Sequence, residues 1–331
     1  MNRNNASNEI IVSVICTTYN HEKYIGKCLD GFLMQKTNFR FEVLVHDDAS
    51  TDKTAEIIRE YAEKYPDVIH PILQTENQYS KRIPIEKQYI LPKIRGKYVA
   101  FCEGDDYWSD ENKLQLQFDA MEAHPECSFC SHYVKAIDSA SGATNGFFPN
   151  RAWNLREGLV EKELQADVLL NEFFQLTSYF IRKKEYEDFL NATLSYSRYM
   201  TGDTAMLSYF STHGRFCFLD REMSVYRYGS EGSWTSRTYS QTEAKINHYR
   251  REIQGFALLR DEYLDDSVKK YAEKRMIHDE WLILDCENNY RKQRDKRYRE
   301  CLKKEPLKKK LIILVGSIFP GLMKWYHKIK K

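Results

Sequence analysis

The sequence predicts an α/β protein: a mostly parallel, Rossmann-related sheet flanked by helices, followed by a helical C-terminal extension. Three observations carry this expectation. Short β-branched runs alternate with segments of helical period over residues 10–125, the pattern of parallel βαβ units with right-handed crossovers. Hydroxyls or carboxylates terminate the first, second and fourth of these runs, so one edge of the sheet carries a polar cleft. From Gln241 to Lys304 the chain holds no Pro and only Gly255, and it is dense in Lys, Arg, Glu and Tyr.

The elements follow in order. Ile10 to Cys16 is a strand by β-branching and length, ending in Thr17-Thr-Tyr-Asn-His21. From Glu22 to Gln35, Ile25, Cys28, Leu29, Phe32 and Leu33 recur at helical spacing. Phe41 to His46 is a second strand. It ends in Asp47-Asp-Ala-Ser-Thr-Asp52, where Ser50 or Thr51 can cap a helix running to Tyr65. Val68 to Leu73 is a third strand, and a polar loop and a helix near Ile85 to Ile94 lead to a fourth, Tyr98 to Cys102.

That fourth strand runs straight into Glu103, Asp105 and Asp106. Carboxylates crowded at a strand end repel one another unless a cation joins them, and hard oxygen ligands suit Mg²⁺ or Mn²⁺. A polar turn before a helix capped by Ser109 or Asp110 explains Asp110 well and the three carboxylates poorly. The turn after the first strand has no glycine, so backbone amides there do not cradle a diphosphate as in dehydrogenases and P-loop enzymes. A metal at Asp105 and Asp106 is left to hold it.

Composition narrows the class. The 331 residues are 42% hydrophobic and 30% charged, with a formal net charge of +2, which gives the chain as a whole no electrostatic footprint for nucleic acid. Eight cysteines are scattered. The CxxC pair Cys127 and Cys130 has no second pair or nearby His at zinc spacing and reads as core thiols, in keeping with a reducing cytosol. The N-terminus lacks a hydrophobic signal region, so secretion is not expected.

Val12-Ser-Val-Ile-Cys-Thr-Thr-Tyr-Asn20, His46-Asp-Asp-Ala-Ser-Thr-Asp-Lys-Thr54 and Glu103-Gly-Asp-Asp-Tyr-Trp108 together resemble, in spacing and order, the family 2 glycosyltransferases of the GT-A fold. The resemblance resumes at Thr201-Gly-Asp-Thr-Ala-Met-Leu207 and at Tyr226-Arg-Tyr-Gly-Ser-Glu-Gly-Ser-Trp234. It implies inverting transfer of a sugar from a nucleotide diphosphate sugar, commonly a UDP-sugar, to an acceptor hydroxyl. Thr17, Thr18 and Tyr19 then border the base, although Tyr19 is nearly as readable as a core residue. Asp47 and Asp48 match the acidic pair that serves the nucleoside. Glu103, Asp105 and Asp106 match the Asp-x-Asp region, with three carboxylates for two roles, one on the metal and one on the ribose. Asp203 matches the general base, and it is equally placed as a first-turn acid of its helix. Two departures stand out: Thr17 replaces the family's usual Pro, and no His lies between Arg227 and Trp234, where many relatives carry one that can ligate the metal.

In the second half, Cys127 to Ile137 reads as a strand and Asp138 to Asn150 as a loop. Phe173 to Ile181 reads as a strand offering Gln175, Thr177 and Ser178 either to an acceptor sugar or to ordinary half-exposed positions. Two or more amphipathic helices fill Gln241 to Lys304. The expected organisation is a flexible tail over 1–9, a catalytic domain over 10–238 (donor half about 10–125, acceptor half about 126–238) and a helical region over 239–331. Lys303 to Lys331 holds nine lysines and a single acid, around the apolar stretch Leu311 to Met323. That stretch is too short to span a bilayer and is broken by Pro320 and Gly321. It fits either a last packed helix or a segment lying on an anionic membrane surface. The expected setting is thus the cytoplasm, peripheral on the inner face of the membrane, beside a glycan or lipid-linked acceptor. A nucleotidyltransferase of related fold and a non-catalytic glycan-binding protein are the competing readings; the first wants a Gly-rich loop, the second is disfavoured by intact Asp105, Asp106 and Asp203.

Overall fold

The computed structural model describes residues 9–160, 174–231 and 233–322. The chain divides into two compact units, one of residues 1–193 and 206–236, the other of 194–205 and 237–331.

The first unit is built on a single sheet. Its strands are β1 (Ile10–Thr18), β2 (Arg40–Asp47), β3 (Ile69–Leu73), β4 (Tyr98–Phe101), β5 (Tyr107–Trp108), β6 (Cys127–Asp138), β7 (Thr144–Phe148), β8 (Gly158–Leu159), β9 (Phe180–Arg182) and β10 (Arg215–Tyr228). The order β3-β2-β1-β4 is parallel throughout, as the alternating sequence pattern requires. Beyond β4 the sheet is mixed: β9 runs antiparallel to both β4 and β6, while β10 lies parallel to β6.

Helices α1 (Ile25–Leu33) and α2 (Thr54–Lys64) cross over between the first three strands, and α3 (Lys113–Ala123) follows β5. Of the expected apolar stripe, Ile25, Cys28, Leu29 and Phe32 are fully buried against Val12, Val14, Val43 and Val45, and Leu33 is half-buried at the edge of the same core. All eight cysteines are free thiols, six of them buried, and the CxxC pair Cys127 and Cys130 lies in that core.

Several local expectations need correction. The helix to Tyr65 is not capped by Ser50 or Thr51. Asp52 supplies the bonds, its Oδ1 accepting from the Thr54 amide at 2.9 Å. The segment near Ile85 to Ile94 is a π-turn, Glu86–Ile90, followed by a 3₁₀ turn, Leu91–Lys93, because Pro92 has no amide with which to continue an α-helix. The loop expected over Asp138 to Asn150 contains β7, which closes a hairpin on β6. The strand expected from Phe173, whose first residue lies outside the described residues, starts only at Phe180, after a 3₁₀ turn over Leu176–Ser178.

The candidate sugar contacts on that segment are not half-exposed. Gln175, Thr177 and Ser178 are all buried. Ser178 Oγ sits 2.6 Å from Ser131 Oγ, and Thr177 Oγ1 donates to Cys102 Sγ at 3.2 Å. The two hydroxyls are spent on the core and Gln175 Oε1 accepts from the Leu176 amide at 2.8 Å, so the segment is buried rather than half-exposed. Among the described residues, helices α4 (Lys183–Asn191), α5 (Gly202–Phe210) and α6 (Trp234–Ser240) follow before residue 241.

The second unit is led by a helical pair, α7 (Thr242–Glu262) and α8 (Asp266–Cys286), reversed over Tyr263–Asp265, where Asp265 caps α8 by accepting from the Ser267 amide at 2.7 Å. Two shorter helices follow, α9 (Arg299–Lys304) and α10 (Leu307–Ile318). Ile313 of α10 is buried with Trp281 and Tyr290. Gly316 makes this possible, since a Cβ there would stand 2.2 Å from the Tyr290 ring. The opposite stripe of α10 and its continuation, Leu307, Leu311, Leu314, Ile318 and Leu322, is exposed. Among the described residues no helix is long and apolar enough to cross a membrane. Lys324 to His327, the aromatic end of the basic tail, lies outside the described residues.

Candidate functional site

The parallel register brings the ends of β1, β2 and β4 level. Thr18 pairs with Asp47, and Ile15 with Phe101. Past the strands the backbones stay tied: the Asp48 amide donates to Thr18 O at 3.0 Å and the Gly104 amide to Thr17 O at 2.9 Å.

The turns after β1 and β2 are then laced together by side chains. Asn20 has a left-handed backbone, φ 57°, a conformation that Asn tolerates better than most residues. Its Oδ1 accepts from the Thr51 amide at 2.8 Å, so it braces the neighbouring turn rather than its own backbone. Ser50 Oγ accepts from the Asn20 amide and Thr54 Oγ1 from the His21 amide, both at 2.8 Å. Asp52 Oδ2 accepts from the Glu22 amide at 3.0 Å. Turn residues of the two acidic and polar motifs thus fix one another.

The acidic residues take different environments. Asp47 is buried, and its carboxylate accepts from both the amide and the hydroxyl of Ser50. Asp48 is buried too and spends both oxygens on the loop after β3, Oδ1 on the Gln78 amide at 2.7 Å and Oδ2 on the Tyr79 amide at 3.0 Å. Glu103 is half-buried.

Asp105 and Asp106 diverge sharply. Asp105 Oδ2 accepts from Ser230 Oγ at 2.7 Å and lies 3.9 Å from His21 Nε2. Asp106 turns the other way, into the protein: it is 1% exposed, and its Oδ1 accepts from the Arg227 amide at 2.9 Å. Burial pushes its carboxyl well above the usual carboxylate range, and the neighbouring Asp105 charge adds to the shift. Arg227 closes the arrangement. Its Nη1 donates to the Asp105 carbonyl, and its guanidinium stacks 4.6 Å from the Tyr107 ring centre and 5.1 Å from that of Tyr24.

Thr17 and Tyr19 are half-buried at the end of β1. Thr18 is buried, with Oγ1 hydrogen-bonded to His21 Nδ1 at 3.1 Å. Thr17, Thr18, Tyr19, Asp47, Asp48, Glu103, Asp105 and Asp106 therefore sit in adjoining turns of the first unit. Asp203 belongs to the second unit, in the first turn of α5, where its Oδ1 accepts from the Thr204 amide at 2.8 Å. Sequence reasoning passed over His21, Arg227 and Ser230. His21 and Arg227 carried a signal, since each stands inside or beside a motif already recognised. Ser230 stands in the same Tyr226 to Trp234 motif as Arg227, but its contact with Asp105 spans 125 residues, so no local pattern announces that pairing.

Among the described residues no three His, Cys, Asp or Glu side chains converge as a ready-made metal cage. The donors present are a carboxylate, Asp105, with an imidazole beside it. That set fits an ion whose remaining ligands come from phosphate oxygens and water, the usual arrangement for divalent ions at nucleotide sites.

The profile of Glycosyl transferase family 2 matches residues 13–189. An uncharacterized protein of Mycobacterium tuberculosis is 36% identical over 228 residues, 68% of this chain and 61% of that relative. The chain thus matches less than two thirds of the length of this curated relative. Among solved structures, TarS of S. aureus in complex with UDP-GlcNAc superposes with a TM-score of 0.58 at 19% identity, covering 92% of this chain and 78% of that one. The mannosyltransferase PcManGT of Pyrobaculum calidifontis, in complex with GDP-Man and Mn²⁺, gives 0.55 at 16% identity over 95% and 81%. At these identities the likeness is one of fold.

Proposed function

Because the chain belongs to glycosyl transferase family 2, with the GT-A fold, we propose that it transfers a sugar, with inversion, from a nucleotide diphosphate sugar to a hydroxyl of a glycan or glycolipid acceptor. The observation that carries this reading is the split between Asp105 and Asp106 at the end of β4. One carboxylate is anchored inward on the Arg227 amide, and the other is held beside His21 and Ser230.

A UDP-sugar is the favoured donor. Thr17, Tyr19 and Asp47 border its base, and Glu103 meets the ribose. Asp48 shapes the rim by holding the Gln78–Tyr79 backbone. Asp105 is the carboxylate that holds a divalent ion, Mn²⁺ or Mg²⁺, against the diphosphate. Asp106 serves from behind, fixing the β10 end on which Arg227 and Ser230 stand. A divalent ion bound there supplies Lewis-acid stabilisation of the departing nucleoside diphosphate. Asp203 accepts the proton of the acceptor hydroxyl as that oxygen attacks the anomeric carbon from the face opposite the leaving group. Its place in a first helical turn, in a Gly-Asp sequence like that of the family's base, supports the assignment.

The acceptor we favour is a bacterial surface glycan or its lipid-linked precursor, met at the cytoplasmic face of the membrane. Support comes from the exposed leucine stripe of α10, flanked by Lys303, Lys304 and Lys308, the composition of an interfacial helix. The reading is tested by calorimetric titration of a panel of nucleotide sugars with Mn²⁺ present or chelated. Metal-dependent binding of at least one donor is expected, and donor binding that EDTA leaves unchanged would refute the metal-held diphosphate.

A further inference from the structure

His21 offers the metal something the acidic motif does not. The imidazole is 8% exposed and fixed from several directions. Its amide donates to Thr54 Oγ1, and its carbonyl accepts from the Tyr24 and Ile25 amides, both at 2.9 Å, at the start of α1. Nδ1 lies 3.1 Å from Thr18 Oγ1, and the ring meets Tyr24 edge-on.

The acidic motif is cut to admit this pair. A Cβ at Gly104 would stand 2.4 Å from Thr18 Oγ1 and 3.1 Å from His21 Nδ1. Glycine between Glu103 and Asp105 is what lets the Thr18–His21 pair lie beneath the carboxylates.

Nε2 then faces Asp105 Oδ2 across 3.9 Å. That is too long for a direct hydrogen bond, whose limit is about 3.2 Å between nitrogen and oxygen. It is short enough for both atoms to reach one ion, since ligands about 2.1 Å from a common centre stand at most about 4.2 Å apart. Metal-bound imidazoles hold their other nitrogen in a hydrogen bond that fixes tautomer and ring plane. Here Thr18 Oγ1, hydrogen-bonded to Nδ1 at 3.1 Å, takes that part, and Nε2 is the ring nitrogen on the Asp105 side.

We propose that His21 is a nitrogen ligand to the divalent ion held by Asp105, supplied from the β1 turn in a chain with no histidine between Arg227 and Trp234. This rests on the reading of Asp105 as a metal carboxylate. It carries a consequence for ion choice: Mg²⁺ keeps to oxygen ligands, whereas transition metals accept imidazole, so His21 biases the site toward Mn²⁺.

Pulsed EPR on the full chain with Mn²⁺ and UDP reads the ligand directly, alongside Mn²⁺ and Mg²⁺ affinities of the wild type, His21→Gln and Asp105→Asn. A ¹⁴N coupling to bound Mn²⁺ is expected in the wild type and absent in His21→Gln. That variant should bind Mn²⁺ about tenfold or more weakly and Mg²⁺ nearly as before, narrowing a preference that a merely structural residue would leave alone. Mn²⁺ binding that depends on Asp105 without any ¹⁴N coupling in the wild type would overturn the His21 assignment and leave the metal reading standing. Absence of Mn²⁺ binding to the wild type would defeat the metal reading itself.

Discussion

The Arg227 amide donates to Asp106 Oδ1 at 2.9 Å, tying the end of β10 to the end of the acidic motif. Two adjacent aspartates therefore answer to different tests. Asp106→Asn keeps an acceptor at Oδ1 and should preserve both fold and Mn²⁺-dependent UDP binding. Asp106→Ala leaves a buried amide unpaired, at a cost of about 1–3 kcal/mol in a denaturation midpoint. Asp105→Asn should leave stability almost unchanged and remove metal-dependent UDP binding. Equal losses of UDP affinity in the two Asn variants would contradict the division of roles.

Asp203→Asn retains the oxygen that meets the Thr204 amide, so thermal stability should move little. Removal of a general base costs roughly a hundred- to ten-thousand-fold in rate. Donor affinity should hold, because Asp203 is assigned to the acceptor. Single-turnover kinetics alongside a binding titration checks the pair of outcomes; near-normal turnover would leave Asp203 as a helix-terminal acid.

Lys113 is wholly buried, its Nζ 4.1 Å from the Trp108 ring centre and 2.6 Å from Gln117 Oε1. Burial pulls its pKa down to about 7, against an ordinary value of 10.5. Between those values the unfolded chain holds a proton that the folded one lacks, so this group's contribution to stability grows as pH rises and is lost as pH falls through 7. The slope is at most about 1.4 kcal/mol per pH unit. The difference in melting temperature between wild type and Lys113→Met, followed from pH 7 to 9, should therefore shift in favour of the wild type. A flat difference would show that the ammonium stays charged in the core.

On α10, replacing Leu311, Leu314 and Ile318 with serine alters the exposed stripe and spares Ile313, which packs on Trp281 and Tyr290. Flotation with vesicles containing anionic lipid should show loss of binding in the triple variant with an unchanged melting temperature. Binding by the wild type should weaken at high salt. Truncation after Lys304 is the poorer test, since it strips a buried face from the unit. Equal flotation of wild type and variant would assign α10 to packing alone.

The first part of the fold, residues 10–125, was legible because its signals are local. The β-branched runs and the stripe Ile25, Cys28, Leu29 and Phe32 state their periods within a few residues. The second half was harder to read because its decisive contacts are not local. β7 is a short Gly-containing run stabilised by pairing with β6, and Ser178 is buried through Ser131, 47 residues away. The same holds at the site. Asp47 and Asp105 announce themselves at strand ends. The inward turn of Asp106 depends on an amide 121 residues later, and the pairing of His21 with Asp105 depends on the missing Cβ of Gly104.

A nucleotide sugar held through a metal at the ends of β1, β2 and β4 has to lose its hold when either the ion or its carboxylate is removed. The most direct measurement is release of nucleoside diphosphate from a panel of nucleotide sugars by wild type and Asp105→Asn, each with Mn²⁺ and with EDTA. Release from at least one donor is expected, by the wild type alone and with Mn²⁺ alone. Release that persists in EDTA, or that Asp105→Asn matches, would contradict a metal-held donor.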